Sequence, residues 1–259
     1  MPFVKLPDGQ IHYELAGPDD APVLVFSNSL GTTLQMWDAQ LTDFSAHFRI
    51  LRYDTRGHGQ SSVTPGPYSI RQLSEDVLHL LDSLKLSRVS FCGLSMGGMT
   101  GMYLGTASPT RFRKIVLCST AAKIGTVEIW NARIEAVQKS GLNSVANAVI
   151  ERWFTPSFRI AQPGPTAEML SMLENANPHG YVANCAAVRD FDHRDRLSSI
   201  AVPTLVVSGT HDPVATPLDG RFLAERIPAA RFLELPAAHI SNIEAQTQFN
   251  REVLSFLRT

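Results

Sequence analysis

A serine flanked by glycines stands between a strand-like segment and a helix-like one. Ser95 is at the centre of a Gly-x-Ser-x-Gly pattern formed with Gly93 and Gly97, directly after the β-branched and aromatic run Val89–Cys92. Glycines on both sides of a sharp strand-to-helix turn let the backbone approach closely, and the turn exposes the serine hydroxyl at the edge of the sheet. The pattern therefore predicts that Ser95 is a nucleophile. An incidental serine in a glycine-rich turn is the alternative.

A nucleophilic serine needs a general base, and the base needs an acid that orients it. Asp212 comes just after the buried-strand run Val202–Gly209, and His239 follows the short strand run Ala230–Pro236. Open α/β sheets place their sites at the carboxyl ends of the strands. The order of the residues and their positions after strands predict a catalytic triad of Ser95, His239 and Asp212.

Other residues could supply the base or the acid, but they are less well placed. His211 adjoins Asp212 on one loop, so its side chain is expected to point elsewhere. Asp192 and Asp195 lie in a charged stretch that is typical of a solvated turn. We therefore favour His239 as the base and Asp212 as the acid.

Backbone N–H groups are predicted to stabilise the oxyanion that such a serine creates. The apolar strand run Val23–Ser27 leads into a loop that contains Leu30. In this type of site one donor comes from that loop and the other from the residue after the nucleophile. The predicted oxyanion hole therefore consists of the backbone N–H groups of Leu30 and Met96.

A further motif identifies a family resemblance that covers nearly all of the chain. The loop Asp54–Ser61 has the pattern Asp-x-Arg-Gly-x-Gly-x-Ser, and with the Ser95 pattern it resembles the single-domain α/β-hydrolases. In that resemblance the loop has a structural role, packed beneath the nucleophile turn, and His58 is not catalytic. Many relatives carry His-Gly where this chain has Asn28 and Ser29.

Four shorter segments resemble the 3-oxoadipate enol-lactonases within that superfamily. These segments are Asn28–Gly31, Gly93–Gly101, Ser119–Gly125 and Trp130–Ile134. The resemblance implies a serine hydrolase that opens a carboxylate-bearing enol-lactone to 3-oxoadipate in aromatic-compound catabolism, the β-ketoadipate pathway. Another α/β-hydrolase, such as a carboxylesterase or a carbon–carbon bond hydrolase, and a triad-bearing small-molecule receptor are the alternatives.

A carboxylate substrate requires a cation in the pocket, and a guanidinium suits it best. Arg133 is the favoured candidate, on the same face of a predicted helix as Trp130. Trp130 and Trp153 are predicted to line the substrate pocket. The alternatives are that Arg133 is a surface charge and that the two tryptophans pack the protein interior.

Strand-like and helix-like segments alternate along the chain, which predicts a mostly parallel central sheet with helices on both faces. The clearest helix-like segment is Ile70–Leu84, where apolar residues recur at a helical spacing. The pattern breaks between about residues 121 and 196, where helix-like runs replace strands. These runs include Val127–Lys139, Val145–Phe154 and Pro165–Asn175. We predict an α/β-hydrolase core of residues 1–120 and 197–259, with residues 121–196 inserted as a helical cap over Ser95. The strands predicted before the insertion are Phe3–Leu6, Gln10–Ala16, Val23–Ser27, Phe48–Asp54, Val89–Cys92 and Lys114–Ser119.

Composition limits the function classes further. The 259 residues are 44% hydrophobic and carry a formal net charge of −1, so no basic field is expected to bind nucleic acid or an anionic membrane. The N-terminus lacks an apolar signal-peptide core, and three cysteines without close spacing are expected to be reduced thiols in a cytoplasmic protein. Neither metal-ligand spacing nor a nucleotide-binding glycine pattern is evident. The expected partners are a small lactone or ester and water, without a cofactor.

Overall fold

Eight strands form one sheet in the computed structural model, which describes residues 2–259. The strands are Phe3–Leu6 (β1), Gly9–Ala16 (β2), Val23–Ser27 (β3), Arg49–Tyr53 (β4), Val89–Leu94 (β5), Phe112–Cys118 (β6), Thr204–Gly209 (β7) and Arg231–Leu235 (β8). Their order across the sheet is β1-β2-β4-β3-β5-β6-β7-β8. The first hairpin, β1 and β2, joins β4 antiparallel, and all pairings from β4 to β8 are parallel. The predicted mostly parallel sheet is confirmed.

Eleven α-helices accompany this sheet within the described residues. They are Asp38–Ser45 (α1), Ile70–Ser83 (α2), Met96–Ala107 (α3), Val127–Ser140 (α4), Asn143–Trp153 (α5), Pro156–Ala161 (α6), Pro163–Glu174 (α7), Pro178–Asp190 (α8), Pro217–Arg226 (α9), Ser241–Glu244 (α10) and Gln246–Arg258 (α11). Local sequence sets many of the helix starts. For example, the Ser69 side chain accepts a hydrogen bond from the Gln72 N–H at the start of α2.

The chain order of the strands distributes the helices over both faces. The step from β3 to β4 goes in one direction across the sheet, and the step from β4 to β5 returns past β3. Because such crossovers are right-handed, the reversal puts α1 on one face and α2 and α3 on the other. The contacts agree, since α1 packs with α11 and α2 packs with α3. The reversal also creates a crevice at the carboxyl ends of β3 and β5, where ligands bind in open α/β sheets.

The helices α4–α8 all lie between β6 and β7, in the segment predicted to be helical, and we call residues 121–196 the helical insertion. Three of them correspond to the predicted runs. The helix α8 begins at Pro178, and the Asn177 side chain accepts hydrogen bonds from two backbone N–H groups of its first turn. It packs against α4. Within residues 2–259 no helix combines the length and the apolar character needed to cross a bilayer.

Candidate active site

Ser95 lies on a strained turn between β5 and α3. Its φ angle is +57°, in the region that residues with a side chain rarely adopt. A Cβ on Gly93 would overlap the carbonyl of Gly97, and a Cβ on Gly97 would overlap the carbonyl of Ser27. The two glycines therefore permit the close approach that the sequence pattern predicts, and Ser95 is left at the N-terminus of α3, where negative charge is favoured.

The end of β6 holds this turn in place. The Ser95 N–H donates to the Cys118 carbonyl at 2.8 Å, and the Thr120 hydroxyl donates to the Ser95 carbonyl at 2.8 Å. Only 7% of Ser95 is exposed. Because its backbone N–H and its carbonyl both have partners, the turn is fixed and the hydroxyl remains as the available polar group of this residue.

His239 and Asp212 form a buried hydrogen-bonded pair at the same edge of the sheet. The His239 Nδ1 and the Asp212 Oδ2 are 2.8 Å apart. The other oxygen, Oδ1, accepts from the N–H groups of Val214 at 2.8 Å and Ala215 at 3.1 Å. An ionised carboxylate can only accept, so the Nδ1 atom carries a proton, and in the neutral imidazole the Nε2 atom has a free lone pair.

Contacts on both sides of His239 bring its loop to the strand end that holds Ser95. The Ser241 hydroxyl lies 3.3 Å from the Ser119 hydroxyl, one residue beyond Cys118. The Ile240 N–H donates to the Trp153 carbonyl of the helical insertion at 3.0 Å. The loop of His239 therefore lies between the end of β6 and the insertion.

The alternative base and acids lie elsewhere. His211 is exposed, although its neighbour Asp212 is buried. Asp192 is an exposed residue that pairs with Arg194, and the hydrogen bond from this guanidinium lowers the pKa of Asp192 to about 2. Asp195 is also exposed. None of these residues forms a hydrogen bond with His239, whose partner is Asp212.

The loop after β3 is tied directly to the start of α3. The Asn28 carbonyl accepts from the Gly97 N–H at 3.0 Å. The Asn28 side chain donates to the Tyr53 carbonyl at 2.8 Å and accepts from the Trp37 indole at 3.0 Å. Asn28 thus anchors the loop that contains Leu30.

The Asp54–Ser61 loop packs against this same loop. The Asp54 Oδ1 accepts from the Leu34 N–H at 2.9 Å, and the His58 Nε2 accepts from the Gly31 N–H at 2.9 Å. The family resemblance implies a packing role beneath the nucleophile turn for this motif. These contacts link the motif to the loop that contains Leu30, a connection that the motif alone does not indicate.

The two predicted substrate-binding tryptophans are buried in the helical insertion, at 5% exposure for Trp130 and 4% for Trp153. The Trp130 indole donates to the Ile124 carbonyl at 2.7 Å. The Arg133 guanidinium stacks over the Trp130 ring, 4.7 Å from its centroid. Arg133 is half-buried, so it is not a freely solvated surface charge.

Sequence reasoning missed two residues beside Arg133. The buried Tyr181 of α8 accepts a hydrogen bond from Arg133 and would contact any Cβ placed on Gly31, next to Leu30. Arg152 of α5 is also half-buried, and its pKa is lowered by burial and by the nearby charge of Arg133. Within residues 2–259 neither arginine has a carboxylate partner at ion-pair distance. Two half-buried cations without an ion-pair partner therefore lie near Tyr181, which borders the loop that contains Leu30.

Comparison with known proteins places this geometry in a family. Residues 22–158 match the family described as the alpha/beta hydrolase fold. A protein named 3-oxoadipate enol-lactonase 2, from Acinetobacter baylyi, is 42% identical over 97% of this chain and 94% of its own length. The crystal structure of the enol-lactonase from Burkholderia xenovorans LB400 matches with 45% identity and a TM-score of 0.98, and the match covers 100% of both chains.

A more distant similarity points to an ester hydrolase. A thermophilic esterase from Thermogutta terrifontis, with malate bound, is 26% identical and has a TM-score of 0.93 over 100% of this chain and 98% of its own. Together the comparisons confirm the predicted fold, the predicted enzyme class and the resemblance to enol-lactonases. The chain belongs to the alpha/beta hydrolase family.

Proposed function

We propose that this protein is a serine hydrolase that opens 3-oxoadipate enol-lactone to 3-oxoadipate in the β-ketoadipate pathway of aromatic catabolism. The observation that carries the proposal is the 2.8 Å hydrogen bond between His239 and Asp212, at the sheet edge that also holds the strained Ser95 turn. Relatives named enol-lactonases, similar over nearly the whole chain, support the choice of substrate.

In the first half of the reaction, the His239 Nε2 takes the proton of the Ser95 hydroxyl as the oxygen attacks the lactone carbonyl carbon. The Leu30 and Met96 N–H groups donate to the oxyanion of the tetrahedral intermediate. The ionised Asp212 stabilises the imidazolium that forms. Collapse of the intermediate breaks the ring C–O bond, and the imidazolium gives its proton to the enolate oxygen that leaves. This step gives an acyl-enzyme that carries the enol, and His239 is neutral again.

The leaving group favours this step. Ring opening expels an enolate, which is a better leaving group than a simple alkoxide, and it stays attached to the acyl chain because the substrate is cyclic. The enol form becomes a ketone when a proton moves to carbon. Water then attacks the acyl-enzyme, His239 takes the proton of that water, and Ser95 leaves with the proton returned by His239.

Arg133 and Arg152 are the proposed receptor for the substrate carboxylate. Both guanidiniums are half-buried, and the pKa of Arg152 is lowered by burial and by repulsion from the nearby charge of Arg133. A carboxylate bound between them removes that repulsion and forms charge-assisted hydrogen bonds. The stacked Trp130 ring restricts where the Arg133 guanidinium can lie.

We further propose that the helical insertion is the cap of the active site and that the enzyme works in the cytoplasm. The insertion supplies Arg133 and Arg152, and the Trp153 carbonyl holds the residue after His239. The cysteines Cys92, Cys118 and Cys185 are buried free thiols, which agrees with a reducing compartment.

The similarity to an esterase makes a neutral-ester hydrolase the second candidate. Purified protein should be assayed with 3-oxoadipate enol-lactone and with p-nitrophenyl acetate, a neutral ester. The proposal predicts a kcat/KM for the lactone at least about a hundredfold higher, because only the lactone has a carboxylate for the two arginines. Equal values for the two substrates, or a higher value for the ester, would favour the esterase.

A further inference from the structure

His58 is buried beside the loop that contains Leu30, at 1% exposure. The Gly31 N–H donates to the His58 Nε2 at 2.9 Å. An imidazole nitrogen accepts a hydrogen bond only when it carries no proton. His58 is therefore neutral here, with its proton on Nδ1.

The surroundings of the ring favour this state. Burial lowers the pKa of His58 to about 4 and outweighs the hydrogen bond from the ring to the Arg56 carbonyl, which acts in the opposite direction. The Asn184 amide of α8 donates to the same Arg56 carbonyl at 2.8 Å and to the Gly180 carbonyl at 2.9 Å. The ring is thus fixed by its own loop and, through Asn184, by α8 of the helical insertion.

The N–H groups on both sides of Leu30 already have acceptors. The Ser29 N–H points at the Met36 sulfur, 3.3 Å away, and the Gly31 N–H points at His58. Within residues 2–259 no carbonyl or side chain accepts from the Leu30 N–H between them. This pattern leaves one donor of the loop available for a ligand.

We propose that His58 is a positioning residue that sets the direction of the Leu30 N–H by accepting the hydrogen bond from Gly31. The inference depends on the proposed function, in which the Leu30 N–H donates to the oxyanion. The bond to His58 fixes the peptide group between Leu30 and Gly31, which shares the Leu30 Cα with the peptide group that carries the donor. A misdirected donor stabilises the transition state less, while the bound substrate is hardly affected.

Two substitutions of His58 distinguish its role as a hydrogen-bond acceptor from the space that its ring fills. In His58→Gln the amide oxygen can reach the position of Nε2, whereas the shorter side chain of His58→Asn cannot. We expect His58→Asn to lower kcat by about tenfold to a hundredfold, less than complete removal of an oxyanion donor, with little change in KM. His58→Gln should recover much of that loss.

Ser61→Ala is the matched control in the same loop. The Ser61 hydroxyl donates to the Asp54 carbonyl at 2.6 Å and accepts from the His12 N–H at 2.9 Å, without contact to Gly31. This variant should lower the melting temperature and leave kcat unchanged. Loss of kcat in all three variants in proportion to melting temperature would overturn the positioning role.

Inhibitor binding gives a readout that does not depend on the natural substrate. Phenylboronic acid forms a tetrahedral anion on a nucleophilic serine, and one of its oxygens occupies the oxyanion hole. Its affinity should fall in His58→Asn by the same factor as kcat, whereas the affinity for adipate, which forms no tetrahedral adduct with Ser95, should stay constant. Unchanged boronate affinity in His58→Asn, or no boronate binding by the wild-type protein, would overturn the inference. Failure to hydrolyse the enol-lactone alone would reject only the proposed substrate.

Discussion

Asp212 determines which nitrogen of His239 carries the proton. Its Oδ2 accepts from the Nδ1 atom, while its Oδ1 is held by the N–H groups of Val214 and Ala215. In Asp212→Asn the amide can donate to Nδ1, which would leave the proton on Nε2 and remove the base. We expect kcat to fall by up to about 10⁴ with an intact fold, measured on the enol-lactone. Asp192→Asn is the surface control, and a larger loss in that variant would mean that the acid is misassigned.

Arg133 is expected to select anionic substrates. Arg133→Ala should lower kcat/KM for the enol-lactone by about tenfold to a hundredfold, the effect of losing one charge-assisted hydrogen bond, and should hardly change hydrolysis of p-nitrophenyl acetate. Arg133→Lys should keep only part of the kcat/KM that Arg133→Ala loses, because an ammonium cannot form the planar fork of a guanidinium. Lys139→Ala, an exposed cation on the same helix, is the control. Equal losses on both substrates would indicate that Arg133 only packs the insertion.

Sequence alone indicated the residues whose positions are set by local pattern. Ser95, Asp212 and His239 each follow a strand within a few residues, so a correct strand assignment places them at one edge. Arg152 could not be found this way, because its relation to Arg133 depends on how α5 packs against α4. The hydrogen bond from Gly31 to His58 likewise joins two loops whose contact no local pattern encodes.

At the scale of elements, Glu244 of α10 connects the helical insertion to the His239 loop. Its half-buried carboxylate accepts from the Ala238 N–H at 2.8 Å and from the N–H and hydroxyl of Thr155, at the start of α6. Glu244→Ala leaves the Ala238 and Thr155 N–H groups without this acceptor, so we expect the free energy of unfolding to fall by about 2 kcal/mol and kcat/KM to fall about tenfold. Urea denaturation and the lactone assay measure the two effects.

A conservative variant and a surface control accompany that prediction. Glu244→Gln keeps one acceptor oxygen and should show smaller effects than Glu244→Ala, whereas Glu225→Ala, on the exposed side of α9, should show neither. An active Glu244→Ala protein with wild-type stability would show that this connection does not hold the His239 loop.

The elements themselves were largely predictable. The hydrophobic pattern predicted six strands and the helix α2 with boundaries within about two residues, because strand and helix periods differ clearly there. The order of the strands in the sheet was not predictable from periodicity, since pairing is set by long-range packing. The helix α8 carries its N-cap signal at Asn177 and Pro178, but its many small residues give it a weak apolar periodicity.

At the scale of the whole molecule, buried neutral histidines link stability to pH. Burial lowers the pKa of His58 and of His193 to about 4, below the ordinary value of about 6.5. Between these values the unfolded chain binds more protons than the folded protein, so the free energy of unfolding falls as pH falls from about 6.5 to 4. Above pH 6.5 both histidines are neutral in the folded and the unfolded protein, so they do not reduce the free energy of unfolding. The contribution of His58 alone is of the order of 3 kcal/mol.

Urea denaturation at pH values from 7.5 to 4.5 measures this linkage. His58→Gln should flatten the dependence on pH, because the substituted side chain does not titrate. His179→Gln, which replaces an exposed histidine of α8, should leave the pH dependence of the unfolding free energy as in the wild-type protein. An identical slope in all three proteins would show that the stability change in acid arises from other groups.

The central claim is that Ser95 attacks the enol-lactone, and the comparison of wild-type protein with Ser95→Ala tests it most directly. The measurement is the rate of 3-oxoadipate enol-lactone hydrolysis by both proteins, with circular dichroism to show that the variant is folded. We predict rapid multiple turnover by the wild-type protein and, in the folded variant, only the residual catalysis of binding and the oxyanion hole, a loss of several orders of magnitude. Hydrolysis at the wild-type rate by folded Ser95→Ala, or no turnover by the wild-type protein, would contradict the account.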